Sequence, residues 1–221
     1  LPDALKAVRY IDEMEGRVRL DRGFERQRGS MKAVFDTFLQ EISSAKNRKS
    51  LDAAYQKASA ALSAVALDKP ETPLRVGIVG EYYTVMDDFG NHNVEQILGY
   101  MGRGVEIHRW MTFTHRNLEY DEQADLQTIA PYVRYSMGPT TSATLAGAIR
   151  YADAGFDGIV HVKSFGCTPE VDAMAVLQNI SADRGIPILY LSYDSQTGDA
   201  GIQTRLEAFY DMIDMKRRKQ P

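Results

Sequence analysis

The stretch Gly158-Ile-Val-His-Val-Lys-Ser-Phe-Gly-Cys-Thr-Pro-Glu170 decides the fold class. Ile159 to Val162 is a short apolar run, the pattern of a strand buried on both faces. Ser164-Phe165-Gly166 reads as a tight turn. Cys167 follows, and Thr168-Pro169-Glu170 opens a long amphipathic stretch. Proline is at home in a first helical turn, where its missing N–H removes no hydrogen bond. The order is strand, loop, thiol, helix start. A thiol placed ahead of a helix N-terminus feels the positive end of the helix dipole, which is expected to favour the thiolate. A thiolate can ligate a metal, attack an electrophile or act as a redox switch. Position alone leaves these open, together with the plainer reading of a buried small hydrophobe.

The same alternation continues on either side. Leu74-Arg-Val-Gly-Ile-Val-Gly80, Val105-Glu-Ile-His-Arg-Trp110 and Pro187-Ile-Leu-Tyr-Leu-Ser192 read as three more strands. Between them the spacing predicts helices over 91–102, with Asn91 as cap, over 141–154, over 169–181 and over 201–218. Residues 121–137 read as a helical insertion interrupted at Pro131. Strands alternating with helices point to an α/β fold, an open parallel sheet of about four strands wrapped by right-handed crossovers. Such sheets hold ligands beyond the carboxyl ends of their strands. Here those ends deliver Glu81, Tyr82 and Tyr83, then Trp110, then Ser164 to Cys167, then Tyr193, Asp194, Gln196 and Thr197.

Residues 1–70 have a different period. Ala4, Val8, Ile11 and Met14 recur every three or four positions, as do Met31, Val34, Phe35, Phe38 and Ile42, and later Leu51, Ala54, Ala58, Leu62 and Val65. These are two or three amphipathic helices, broken near Gly23–Gly29 and near Asn47–Ser50, with Ser50 the expected cap. Asp68-Lys-Pro-Glu-Thr-Pro73 reads as a linker. The chain therefore divides into a helical region, 1–70, and an α/β lobe, 71–221. It opens on Leu1 within a helical pattern, and we expect it to be a piece of a longer protein.

With a net charge of −4, the chain carries no field that would gather nucleic acid. No uninterrupted apolar run is long enough to span a membrane, and without a basic segment followed by an apolar one at the start, no secretory signal is expected. A single cysteine cannot form an internal disulfide, which fits a reducing cytoplasm. The histidines 92, 108, 115 and 161 lack metal-ligand spacing, so zinc is not expected. Gly77-Ile-Val-Gly80 lacks the spacing of a dinucleotide fingerprint, and Glu81 would oppose a phosphate. Glu81 is better read as a strand-end acid that accepts from loop backbone. Tyr82, Tyr83, Trp110 and Phe165 are candidate pocket walls. The run Lys216–Lys219 reads as a solvated tail, and the loop from Asp194 to Gly201 as a turn that caps the last helix.

Several of these segments together resemble one family. Leu74 to Tyr82, Val105 to Trp110, Phe165-Gly-Cys-Thr-Pro-Glu170 and Asp194-Ser-Gln-Thr-Gly-Asp-Ala-Gly-Ile-Gln-Thr-Arg-Leu-Glu-Ala-Phe209 look like the 2-hydroxyacyl-CoA dehydratase D-component family, in the branch labelled CoA protein activase or double-cubane-cluster protein. The resemblance covers about residues 50 to 215 and points to the C-terminal lobe of such a protein. It implies Rossmann- or flavodoxin-like lobes with an iron–sulfur cluster between them. Electrons would come from a separate ATP-dependent activator, and a homodimer is a further partner to consider. By this resemblance Cys167 is a cluster ligand. Ser164, Phe165, Gly166 and Thr168 would shape the cluster pocket, with Glu81 and Gln196 at neighbouring strand ends. One cysteine is too few for a cubane, so the cluster is expected in the full-length protein, completed by an N-terminal lobe, and not in this stretch by itself. No phosphate loop appears, so ATP binding is not expected here. The competing readings are a non-redox small-ligand module in which Cys167 is incidental, and a lobe that only completes a partner's site.

Overall fold

The structure, a computed structural model, describes residues 2–219. Four parallel strands form one sheet: β1 (Leu74–Gly80), β2 (Val105–Arg109), β3 (Gly158–Ser164) and β4 (Ile188–Tyr193). Their spatial order is β2-β1-β3-β4. Registers Leu74↔Val105, Val76↔Gly158 and Ile159↔Ile188 align the strands so that all four finish on one edge. The expected α/β sheet of four strands is present, and the helical region precedes it.

Strand pleating sends alternate residues to opposite faces. On one face Val76, Ile78, Val105, Ile107, Val160, Val162 and Leu191 pack beneath α4 (Tyr82–Met86), α5 (Val94–Gly99) and α9 (Asp199–Arg218). On the other, Val79 and Ile159 pack beneath α6 (Glu122–Ile129), α7 (Pro139–Asp153) and α8 (Thr168–Arg184). Two-sided burial explains why β1 and β3 read as nearly continuous apolar runs, whereas β2 at the sheet edge alternates. The glycines of β1 answer packing needs. A Cβ on Gly77 would stand 2.2 Å from the Tyr151 ring, and one on Gly80, whose φ is +140°, would stand 1.9 Å from the Val162 carbonyl oxygen.

The N-terminal helices α1 (Pro2–Asp21), α2 (Ser30–Ser44) and α3 (Arg48–Ser63) close their own core around Met14, Val18, Met31, Phe38 and Leu62. They also dock on the sheet. Buried Arg19 of α1 donates through Nε to Glu95 of α5 at 3.0 Å, and Arg109 at the end of β2 meets Glu95 and Glu15. Burial raises the Glu95 pKa, but the three guanidinium groups of Arg19, Arg109 and Arg22 outweigh it and hold the carboxyl below its ordinary value.

Some boundaries differ from the spacing-based expectation, for local reasons. Ser50 is not the cap of α3. Asn47 is, and Ser50 closes the reciprocal half of a capping box. The helix expected over 91–102 runs only from Val94 to Gly99. Asn91 is buried, with its side chain bonded to the Thr84 carbonyl and the Val94 amide, while His92 and Asn93 adopt φ of 57° and 56°. The basic tail is not merely solvated, because Arg217 pairs with Asp157 at 2.6 Å and Arg218 with Asp214 at 2.7 Å.

Candidate functional site

From β1 the chain winds outward to β2, then crosses back to β3 on the opposite side. The gap between the β1 and β3 ends is thus the topological switch point, where open sheets of this type part their loops. The segments after β1 and β3 carry the two elements that the sequence singles out, Glu81 and the Ser164–Thr168 loop.

Cys167 is the N-cap residue of α8, with extended backbone and no cap hydrogen bond from its side chain. Its N–H donates to the Ser164 carbonyl at 3.1 Å, closing the turn, and the Phe165 N–H donates to the Tyr193 carbonyl at 2.8 Å, tying the loop to β4. The thiol is half-buried, while Ser164, Phe165, Gly166 and Thr168 are exposed. Phe165 is 69% exposed, as few large apolar side chains are, so the loop presents a hydrophobic rim beside the sulfur. Gly166 is dictated by neither strain nor packing: its φ is not positive and a Cβ there would meet nothing within 4 Å.

The expected thiolate is not what the unliganded site favours. Burial pushes the Cys167 thiol up, the Glu170 amide pulls it down without closing a cap bond, and the carboxylates of Glu170 and Glu81 push it up further, against Lys163. Burial and two acidic neighbours outweigh the Glu170 amide and Lys163. A bound cation would reverse that balance.

Glu81 is the N-cap of α4. Its carboxylate accepts from the amides of Tyr83 at 3.1 Å and Thr84 at 2.8 Å, and from the Thr84 hydroxyl at 2.5 Å. The backbone-accepting reading of this acid is the one the geometry bears out. Gln196 lies exposed in an Asp194-centred turn, its N–H donating to the Asp194 carboxylate at 2.8 Å. Two hollows adjoin at Glu81 and Tyr83. One, of about 470 Å³, reaches Ser164, Tyr193 and His92; the other, of about 620 Å³, reaches Tyr82, Phe113 and Arg116. Of the proposed aromatic walls, Tyr82 and Tyr83 line these hollows. Trp110 instead packs against Gly147 of α7, where a Cβ would sit 2.6 Å from the indole.

Beneath the thiol loop lies a polar network that sequence reasoning did not assign. His161 of β3 and Glu170 of α8 are fully buried and bonded at 2.7 Å. Thr144 of α7 donates to Glu170 at 3.0 Å, and the Thr141 hydroxyl donates to the Pro169 carbonyl at 2.9 Å. Lys163, 3% exposed, sends its ammonium to the carbonyls of Ser164 and Phe165 at 3.3 Å. The signal was present: His161 and Lys163 sit two apart on one strand face. Glu170 stands three residues after the cap, where a carboxylate ordinarily turns back to the cap amide.

As a metal site the arrangement is incomplete. Among the described residues no three His, Cys, Asp or Glu side chains converge. A cubane takes about four ligands, so this chain's residues do not by themselves fit one. What they offer is one accessible sulfur on an open loop. No helix among the described residues is long and apolar enough to cross a membrane.

A search of curated proteins returns no match to this chain. The sequence does match the family described as 2-hydroxyglutaryl-CoA dehydratase, D-component, over residues 48–213, which takes in α3, the whole sheet and most of α9. That match covers well over half of the chain, which therefore belongs to the 2-hydroxyglutaryl-CoA dehydratase D-component family.

Proposed function

We propose that this chain is the C-terminal α/β lobe of a dehydratase-type component, of the branch labelled CoA protein activase or double-cubane-cluster protein. In this reading Cys167 gives one thiolate to an iron–sulfur centre whose other ligands lie outside the chain. A separate ATP-dependent activator supplies the electrons, and the assembly works in the cytoplasm. The observation that carries the proposal is the placement of Cys167. It is the only sulfhydryl in the chain and stands at the β1/β3 switch point on an open loop, with its side chain making no cap hydrogen bond to α8. The exposed rings of Phe165 and Tyr83 at neighbouring strand ends also support it, because large exposed apolar surface marks a contact site.

The chain's own part is limited and concrete. The Ser164–Cys167 turn and the start of α8 fix the sulfur at the sheet edge. Lys163 holds the loop carbonyls from below. A metal bound there would supply electron-transfer chemistry and stabilise the thiolate. Full-length protein isolated without oxygen is expected to contain iron and acid-labile sulfide, whereas this chain alone should hold no intact cluster. A metal-free full-length protein would refute the reading.

The two hollows that meet at Glu81 favour a second reading, a non-redox module that binds a small ligand with Cys167 incidental. It predicts ligand binding unaffected by Cys167→Ser.

A further inference from the structure

We propose that the hollow at the mouths of β1 and β2 binds a small organic anion, a carboxylate or phosphate ester with an apolar body, and that Arg116 is its charge partner. The hollow measures about 620 Å³, within the range of sites that enclose small ligands. Arg116 stands on the π-helical turn His115–Glu119. Such turns are uncommon and occur frequently at functional sites.

The guanidinium of Arg116 is half-buried and lies 5.9 Å from the Tyr82 ring centre and 5.3 Å from that of Tyr120. Among the described residues it has no carboxylate within 4.0 Å, whereas Arg19, Arg109 and Arg150 each do. A guanidinium held against aromatic rings keeps its N–H edge for a planar, bidentate acceptor. Asn117 holds the neighbourhood in place by donating to the Tyr82 hydroxyl at 3.0 Å and to the Phe113 carbonyl at 2.9 Å.

The open donors of Arg116 decide the ligand class. Only Glu81 and Arg116 bring formal charge to the lining. The Glu81 carboxylate keeps its charge but is turned onto two amides and a hydroxyl, whereas Arg116 has no carboxylate within 4.0 Å among the described residues, so the hydrogen-bonding capacity left open in the lining is that of a cationic donor. Met86 and the 44%-exposed Phe113 supply the apolar wall for the rest of the ligand. The inference does not depend on cluster ligation by Cys167, and its test uses the unloaded chain, so either can fail without the other.

Trp110, the only tryptophan, packs edge-on to His115 with ring centres 5.2 Å apart, so its emission reports on the π turn. The chain would be titrated with benzoate, phenyl phosphate, inorganic phosphate and benzyl alcohol, with calorimetry in parallel. Benzoate or phenyl phosphate should saturate the signal, and whichever binds tighter assigns the carboxylate or the phosphate class. Benzyl alcohol and inorganic phosphate should bind at least about tenfold more weakly, since each lacks half of the recognition. Arg116→Gln should weaken the tighter probe about ten- to a hundredfold, the loss of a hydrogen bond to a charged group. Should Arg116→Gln not fold, Arg116→Lys and Phe113→Ala are read in the same way. The proposal is overturned if neither organic anion saturates, if the variants keep wild-type affinity, or if benzyl alcohol binds as tightly as benzoate.

Discussion

Replacing Glu170 by alanine should be among the most damaging single changes in the α/β lobe, although the residue touches no solvent. Its carboxylate is fully buried, accepts from Thr144 at 3.0 Å and is bonded to His161 at 2.7 Å. Truncation leaves the His161 Nε2 buried without its partner, while the Thr144 hydroxyl keeps the Gly80 carbonyl at 3.3 Å. The unsatisfied imidazole costs about 1–3 kcal/mol, and the lost methylene and carboxylate add a cavity cost, so we expect about 2–4 kcal/mol in all. Glu170→Gln keeps the shape and most of the bonding, and should cost about 1–2 kcal/mol. The assay is urea unfolding followed by circular dichroism, with equal slopes required before midpoints are compared. A double-mutant cycle with His161→Ala should give a coupling energy of at least about 1.5 kcal/mol, the mark of residues that share one network. A loss below about 1 kcal/mol for Glu170→Ala, or a coupling near zero, would refute the view that this network holds α8, and Cys167 with it, against the sheet.

Other expectations follow from the same geometry. Glu95→Ala leaves two buried arginines between the helical region and the sheet with Glu15 as their remaining paired carboxylate, and should cost about 2–4 kcal/mol by urea unfolding. Because Glu95 titrates below its ordinary value in the fold, its contribution is present above the usual carboxylate range and lost as pH falls through the folded value. Glu95→Gln should therefore flatten the acid limb of the stability profile, and an unchanged limb would contradict this. Gly80→Ala meets both a positive φ and the Val162 carbonyl, and should lower stability by at least about 3 kcal/mol or abolish folding; near-neutral unfolding data would contradict the packing described. In the unloaded chain, iodoacetamide should modify Cys167 slowly at neutral pH, with a rate midpoint above that of free cysteine, because burial and nearby carboxylates disfavour the thiolate. A midpoint below the free thiol's would restore the helix dipole as the controlling influence.

The sequence was most legible where burial is two-sided. β1 and β3 emerge from apolar runs because helices cover both faces at the centre of the sheet, whereas β2, at the edge, shows the alternation of a half-buried strand. Cys167 was correctly placed at a helix start, since Pro169 and Glu170 mark a first turn. The spatial strand order was not legible, because it depends on crossovers that local periodicity does not encode. The short α4 escaped notice for a related reason: Glu81 caps it, and five residues are too few to show a period. Asn91 misled because an asparagine before an apolar run resembles a cap, whereas here it is buried and bonds two separate backbone groups. The thiolate expectation failed on tertiary grounds. Burial of the sulfur is the largest cause, and Glu81, remote in sequence, adds its charge across the gap between β1 and β3.

Electron paramagnetic resonance of the reduced full-length protein, compared between wild type and Cys167→Ser, tests the central claim most directly. If Cys167 ligates an iron–sulfur centre, the wild type should show a cluster signal that the serine variant loses or shifts, while its fold is kept. The same signal at the same intensity in both proteins would contradict ligation by Cys167.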